Sequence, residues 1–142
     1  MLIDTRTTFA YEEDVDGTAG TVKLGKAIDL EVLADQGEGY PLYFVALVST
    51  AAAGGTSIAV NLVTADNAAL DSNPVTLLST PAIAIATLVA GYRIIAVAIP
   101  KASYKRYLGM TITRVGTVTA GAISGFLVQD PPAWRAYAEG NN

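Results

Sequence analysis

The sequence predicts an all-β fold: an antiparallel β-sandwich of about eight short strands, with an arm at each end. Apolar and polar residues alternate with a period of two along most of the chain, the pattern of half-buried strands. Gly, Pro, Asp and Asn cluster at regular breaks between these segments. The only helical patterns are shorter than two turns, too short to be stable without packing.

The alternation is clearest in residues 56–64 and 105–114. Ile58, Val60 and Leu62 share one face of the first segment, so we expect that face to be buried. In the second segment the expected core residues are Leu108, Met110 and Ile112. The other predicted strands cover residues 21–30, 40–49, 75–80, 83–88, 92–99 and 120–129.

The chain of 142 residues is long enough for one domain with short tails. Residues 21–130 are predicted to form this domain, with residues 1–20 as an N-terminal arm and residues 131–142 as a C-terminal tail. Many short strands separated by turn residues indicate a sandwich or a barrel. The long links between them favour a Greek key or a jelly roll over a simple meander.

Two predicted strands, residues 42–48 and 93–99, are apolar on both faces. Such strands are normally covered on both sides. Charged residues make up 15% of the chain, whereas about 25% is typical, so the surface is short of charge. A subunit contact explains both observations, and small alanines tolerated at the surface are the alternative.

Composition argues against several classes of function. The chain has no histidine and no cysteine, which removes the usual general base, the common nucleophile pairs and the commonest metal ligands. We therefore expect no enzyme activity, no cofactor and no built-in metal site. The net charge is −4 and the nine Lys and Arg residues are scattered, so we expect no nucleic-acid binding. Residues 41–65 carry no charge, but Gly54 and Gly55 break them into two strands, so we expect no membrane span.

An acidic run at Glu12, Asp14 and Asp16 matches the first positions of a calcium-binding loop. The last ligand position of such a loop needs a Glu, and this chain has Lys23 there. The motif therefore fails, and an adventitious divalent ion on an acidic turn is the remaining alternative. Paired carboxylates could also cleave glycosides, but they need a pocket that shifts their pKa. An acidic segment such as this one is more often only solvated, so we expect no such site.

Aromatic side chains on the two arms are candidate interface anchors, because aromatics and arginine dominate binding energy at protein interfaces. The candidates are Phe9, Tyr11, Arg93, Trp134 and Tyr137. Trp134 follows a stiff Pro-Pro pair. Packing of Trp134 back onto its own domain is the alternative.

Five stretches within residues 40–129 carry a family resemblance. They are 41–43 (Pro-Leu-Tyr), 54–60 (Gly-Gly-Thr-Ser-Ile-Ala-Val), 88–93 (Leu-Val-Ala-Gly-Tyr-Arg), 106–108 (Arg-Tyr-Leu) and 116–123 (Gly-Thr-Val-Thr-Ala-Gly-Ala-Ile). In these turn and strand patterns the sequence resembles the capsid decoration, or cement, proteins of tailed bacteriophages, notably short-tailed ones.

The resemblance implies a jelly-roll-like sandwich that binds the major capsid protein and itself, as a homodimer or homotrimer, on the outer surface of the virion. It implies synthesis in the host cytoplasm, no reaction and no cofactor. The alternative from another class is a carbohydrate- or receptor-binding module of a phage structural protein. Such a module needs an exposed aromatic platform, for which Tyr92, Tyr104 and Tyr107 near Asp71 and Asn73 are candidates.

Overall fold

The computed structural model describes residues 6–31 and 42–129, which form two packed antiparallel β-sheets. Nine strands and one short 3₁₀ turn make up this part of the chain. The strands are β1 (Thr8–Asp14), β2 (Gly20–Asp29), β3 (Tyr43–Gly54), β4 (Ser57–Ala65), β5 (Val75–Ser79), β6 (Ile83–Ala84), β7 (Arg93–Ala98), β8 (Tyr107–Val115) and β9 (Val118–Val128). The 3₁₀ turn is η1 (Ile85–Thr87).

The strand order is that of a jelly roll. Sheet A has the order β1-β9-β3-β7, and sheet B has the order β2-β8-β4-β5. Strand β6 pairs with β4 on the side where β5 also pairs, so β5 and β6 together form one interrupted edge. Apart from β4, β5 and β6, which all belong to sheet B, consecutive strands alternate between the two sheets, as they do in a jelly roll. The predicted all-β, antiparallel, jelly-roll-like sandwich is confirmed.

The prediction of an arm over residues 1–20 is corrected by β1, which is an edge strand of sheet A. The period-two pattern is hidden because β1 has register irregularities on both sides of Ala10. Glu12 adopts a left-handed φ of 49°, and its N–H donates to Ser124 Oγ at 2.9 Å. The bulged strand still buries Phe9, so the segment belongs to the core. Residues 1–5 and the predicted tail, 131–142, lie outside the described residues.

The core lies between the two sheets and contains the faces predicted from the alternation. Ile58, Val60 and Leu62 of β4 are at most 1% exposed, and Leu108, Met110 and Ile112 of β8 are also buried. From sheet A, the rings of Phe9 and Phe44 meet edge to face with their centroids 5.9 Å apart. An aromatic pair in this geometry contributes about 1 kcal/mol beyond its buried area.

The sandwich has two unlike ends. At one, the turn end, three short turns over residues 15–19, 55–56 and 116–117 connect sheet A to sheet B. At the other, the attachment end, β1 and β3 begin and β9 finishes, with Tyr43 paired to Val128. Residues 1–5, 32–41 and 130–142 all join the described chain at the attachment end.

Arg114 closes the turn end from inside. The residue is 9% exposed, and its Nη1 donates to the carbonyl oxygens of Val15, at 3.0 Å, and Asp16. Gly17 leaves space for the guanidinium, since a side chain there would collide with it. The Nε atom of Arg114 has no hydrogen-bond partner among the described atoms. The two backbone carbonyl groups thus stabilise the positive charge of Arg114. Their hydrogen bonds fix the β1–β2 turn against β8.

Gly25 allows the edge strands of the two sheets to approach each other closely. It has a φ of +69° at the irregularity between Leu24 and Ile28, and a side-chain carbon there would overlap the carbonyl oxygen of Phe9. Gly91 has a similar φ of +85° but nothing within 4 Å of the corresponding position. The two glycines therefore share a backbone conformation and differ in steric room.

We predict that Gly25→Ala lowers the free energy of unfolding by about 3 kcal/mol or more, whereas the matched control Gly91→Ala costs about 1 kcal/mol. Both changes strain the left-handed backbone, and only the first adds a clash with Phe9. Urea denaturation of the two variants measures the difference. Equal losses in both would contradict the close approach of β1 and β2.

Candidate functional site

The outer face of sheet A carries no charged side chain across its two central strands, β3 and β9. Tyr43, Val45 and Leu47 alternate with the core-facing residues of β3, so they point away from sheet B. Register places Phe126 beside Val45 and Val128 beside Tyr43 on the same face. On the other side of β3, β7 adds Ala96 and Ala98. The two strands that are apolar on both faces thus pair with each other.

Much of this outer face is already buried in the chain. Val45 is 3% exposed and Phe126 is 2% exposed, although both point away from the core between the sheets. Tyr43, Leu47 and Val128 are half-buried. No strand among the described residues lies over this face. Val45 and Phe126 are therefore shielded within the chain itself, in contrast to residues on an ordinary solvated outer face of a sandwich.

The outer face of sheet B has the opposite character and carries a ladder of uncharged polar groups. Asn61 Nδ2 donates to the hydroxyls of Thr111 and Thr113, each at 3.3 Å. Ser79 Oγ donates to Asn61 Oδ1 at 2.6 Å, and the hydroxyls of Thr21 and Thr113 lie 2.8 Å apart. Cross-strand hydrogen bonds of this kind stabilise a wet sheet face without any charge. They explain how the chain keeps its charge content low.

A loop over residues 66–74 covers the remaining part of this face. Leu70 is 6% exposed and packs over Gly109, where a side-chain carbon would collide with it. Asn67 Oδ1 accepts from the N–H groups of Asp71 and Ser72, both at 3.1 Å. Lys105 Nζ lies 3.6 Å from Asp66 Oδ2 and also donates to the loop backbone. The polar residues of the loop therefore hold the loop itself together.

An ion pair joins β2 to β8 at the attachment end. Arg106 donates from Nε and Nη2 to the two carboxylate oxygens of Asp29, each at 2.9 Å. The Arg106 guanidinium lies 5.2 Å from the ring centre of Tyr107. The hydrogen bond from Arg106, with a second from the backbone N–H of Glu31, holds the pKa of Asp29 below its ordinary value. The hydrogen bonds to Asp29 in turn raise the pKa of Arg106.

The predicted interface residues do not form one cluster. Phe9 is 1% exposed and belongs to the core, which corrects its assignment as an interface anchor. Tyr11 is 65% exposed on the bulge of β1. Arg93 is exposed at the start of β7, opposite Leu47 in the middle of β3. Trp134 and Tyr137 lie outside the described residues.

The aromatic platform considered for glycan binding is not assembled. Tyr104 is 3% exposed, and its hydroxyl donates to the carbonyl oxygen of Pro100. Tyr92 is half-buried beside Val48, midway along sheet A, whereas Tyr107 lies in sheet B where β8 begins, at the attachment end. The three rings therefore present no common surface with Asp71 and Asn73.

The acidic run near the N-terminus is divided between a strand and a turn. Glu12, Glu13 and Asp14 lie in the bulged strand β1, and Asp16 lies in the turn that follows it. Over residues 6–31 and 42–129, no three acidic side chains come together in a group able to hold a metal ion. In the same ranges no helix is long and apolar enough to cross a membrane.

A family model named Bbp16 matches residues 15–127, from the beginning of the turn after β1 to the last residue but one of β9. The chain belongs to the Bbp16 family. The match covers β2 to β8 and nearly all of β9, and therefore most of both sheets. A search of curated proteins finds no match for this Bbp16-family chain.

Sequence reasoning missed Val45 and Phe126 as outward-facing residues of the Bbp16-family sandwich. A Phe or Val in an apolar segment is usually in the core, and only the register of β3 on β9 shows that both point outward. The sequence signals for this face are the absence of charge in residues 40–49 and 120–129 and the apolar residues on both faces of residues 42–48.

We predict that Arg106→Gln raises the pKa of the Asp29 carboxyl toward its ordinary value, as measured by NMR titration. Because the folded-state pKa is depressed, the favourable contribution of this carboxylate is present above about pH 4 and is lost as pH falls through the depressed value. The parent protein should therefore lose more thermal stability than Arg106→Gln on acidification below about pH 4.

The matched control is Lys105→Gln, which removes the neighbouring cation but leaves the Asp29 pair intact. Its Asp29 titration should equal that of the parent. Identical titration of Asp29 in the parent and in Arg106→Gln would show that the ion pair is not formed in solution.

Proposed function

We propose that this Bbp16-family protein is a structural virion protein that decorates and stabilises a bacteriophage capsid by bridging neighbouring subunits of the major capsid protein. The observation that carries the proposal is the shortage of charge: charged residues make up 15% of the chain, where about 25% is typical, and the outer face of β3 and β9 carries none. A surface that is poor in charge suits a protein that works in contact with other proteins. The resemblance of residues 40–129 to phage decoration proteins supplies the kind of partner.

The layout of the chain supports attachment from one end. The segments 1–5, 32–41 and 130–142 join the sandwich at the attachment end, and the C-terminal one includes Trp134 and Tyr137. Short turns and the buried Arg114 hold the opposite end rigid. A rigid sandwich with its anchors on one end suits a protein that is laid on a preformed shell.

The energetics of decoration are additive. Burial of apolar area contributes about 25 cal/mol per Å² before the costs of association are subtracted. A modest contact repeated over many symmetric sites on a shell raises the pressure that the shell withstands, because many contacts have to break together. The proposal requires neither a reaction nor a cofactor.

The alternative, a carbohydrate- or receptor-binding module, has the polar face of sheet B in its favour. That face presents hydroxyls and an amide on a flat surface, but each of these groups already has a partner on a neighbouring strand. The separation of Tyr92, Tyr104 and Tyr107 further favours decoration over glycan binding.

We predict that the purified protein binds to capsids of its own phage that were assembled without it and raises the temperature at which they rupture. Co-sedimentation and calorimetry of the particles measure the two effects. Capsids already saturated with the protein are the control and should take up no more. Binding to a sugar array without binding to capsids would favour the alternative.

A second prediction concerns the C-terminal segment. Trp134→Ala should weaken capsid binding about tenfold or more, because a buried aromatic anchor contributes about 2 kcal/mol or more at an interface. The matched control is Val75→Ala, which truncates an exposed apolar residue on sheet B and should leave binding unchanged. Unchanged binding after deletion of residues 131–142 would remove Trp134 and Tyr137 from the interface.

A further inference from the structure

The outer face of sheet A is strongly shielded in the half next to the attachment end. There Val45 is 3% exposed and Phe126, which pairs with it, is 2% exposed. Thr8, which pairs with Phe126 on the other side, is also buried. At the turn end of the same central strands, Ala53 and Ala120 pair with each other and are exposed. We call Thr8, Val45 and Phe126 the shielded patch.

Neighbours within the sheet do not account for the burial of this patch. Its three residues lie in register on three adjacent strands, β1, β9 and β3. Side chains in such a row stand side by side and roughly perpendicular to the sheet, so they cover one another's flanks and leave their tips open. A phenyl ring that points outward and is 2% exposed therefore needs a cover above it.

The cover comes from the chain itself, because the patch is shielded in a single copy. No described strand lies over it, and three segments join the described chain beside it: 1–5, 32–41 and 130–142. Residues 32–41 are tied at both ends, to β2 of sheet B and to β3 of sheet A. Residues 1–5 carry no aromatic side chain. Residues 130–142 are the longest of the three segments and include Trp134 and Tyr137.

The C-terminal segment also starts in the right place. It follows β9, which lies between β1 and β3 and carries Phe126. Phe126 precedes Gln129 by three residues, about 10 Å along the strand. The five residues from Gln129 to Trp134 can span about 17 Å. One reversal of the chain after Gln129 is thus enough to bring Trp134 over Phe126.

We propose that residues 130–142 fold back over the outer face of sheet A and that Trp134 packs on the shielded patch. An indole ring is large enough to cover a phenyl ring and a neighbouring valine together, and aromatic pairs attract each other beyond the area that they bury. The patch needs an apolar cover, and the segment needs an apolar surface for its aromatic residues. Each therefore supplies what the other lacks.

Docking orders the segment before it meets a partner. A flexible anchor loses conformational freedom when it binds, which weakens binding, whereas a docked anchor has lost that freedom already. Trp134 then contacts its own sheet with one side of the ring and a capsid subunit with the other. This consequence rests on the proposed decoration function, whereas the docking itself is a property of the free protein.

The fluorescence of Trp134, the one tryptophan of the chain, tests the proposal. In the parent protein the emission should lie to the blue of the emission of the urea-unfolded chain, and acrylamide should quench it several-fold more weakly. Both properties should stay the same on dilution from micromolar to nanomolar concentration, because the contact lies within one chain.

Val45→Asp should expose Trp134, because a carboxylate under the ring would have to lose its water. The emission should move to the red, and quenching by acrylamide should approach that of the unfolded chain, while circular dichroism shows that the strands are kept. The matched control is Val75→Asp, the same change at a residue of sheet B that is 46% exposed. It should leave the emission as it is in the parent.

Trp134→Ala keeps the proposal testable if Val45→Asp fails to fold, because it changes no residue of either sheet. Loss of the cover should let a hydrophobic dye bind to the shielded patch several-fold more strongly than to the parent. Val75→Ala is the control and should bind no more dye than the parent does.

An exposed Trp134 in the folded parent would overturn the proposal, as would emission that changes on dilution. Equal emission of the parent and of folded Val45→Asp, or unchanged dye binding by Trp134→Ala, would do the same. Docking in a protein that ignores capsids would leave this inference standing and remove the decoration function. Capsid binding by a parent protein whose Trp134 is exposed would do the reverse.

Discussion

Strands β8 and β9 are consecutive in sequence, yet they lie in different sheets. Each is a central strand that pairs with a neighbour on both sides. Strand β9 lies between β1 and β3, and β8 lies between β2 and β4. The contacts that close the sandwich therefore join distant residues, such as Glu12 with Ser124, 112 positions apart. Neither sheet is complete until the last strands are in place. We expect cooperative and rather slow folding for this reason, as in other sandwiches rich in long-range pairs.

The long-range pairing of the strands divides the molecule into two ends with different structures. The short turns and Arg114 fix one end, so the crossing strands keep their register. At the opposite end, β1 and β3 begin and β9 finishes. The two outer faces also differ. On sheet B the polar groups of the ladder around Asn61 bond to one another, whereas on sheet A the apolar side chains around Val45 and Phe126 exclude water. Charge is needed on neither face, and it is concentrated at edges and loops.

The alternation of residues in β4 and β8 was sufficient to predict the fold class and the core faces, because both strands are regular and bury one side only. Strand β1 could not be predicted, because a bulge at Glu12 breaks the period and its acids are typical of a solvated arm. The assignment of Phe9 to an interface was wrong for the same reason. The outward position of Phe126 depends on pairing between distant strands, which periodicity within one segment does not contain.

A near-atomic map of the phage particle that encodes this Bbp16-family protein is the most direct test of the proposed capsid decoration. We expect a jelly-roll sandwich on the outer surface of the shell, with its attachment end on a seam between major capsid subunits. Density for the sandwich in the tail or its fibres, or a shell surface without it, would contradict the claim.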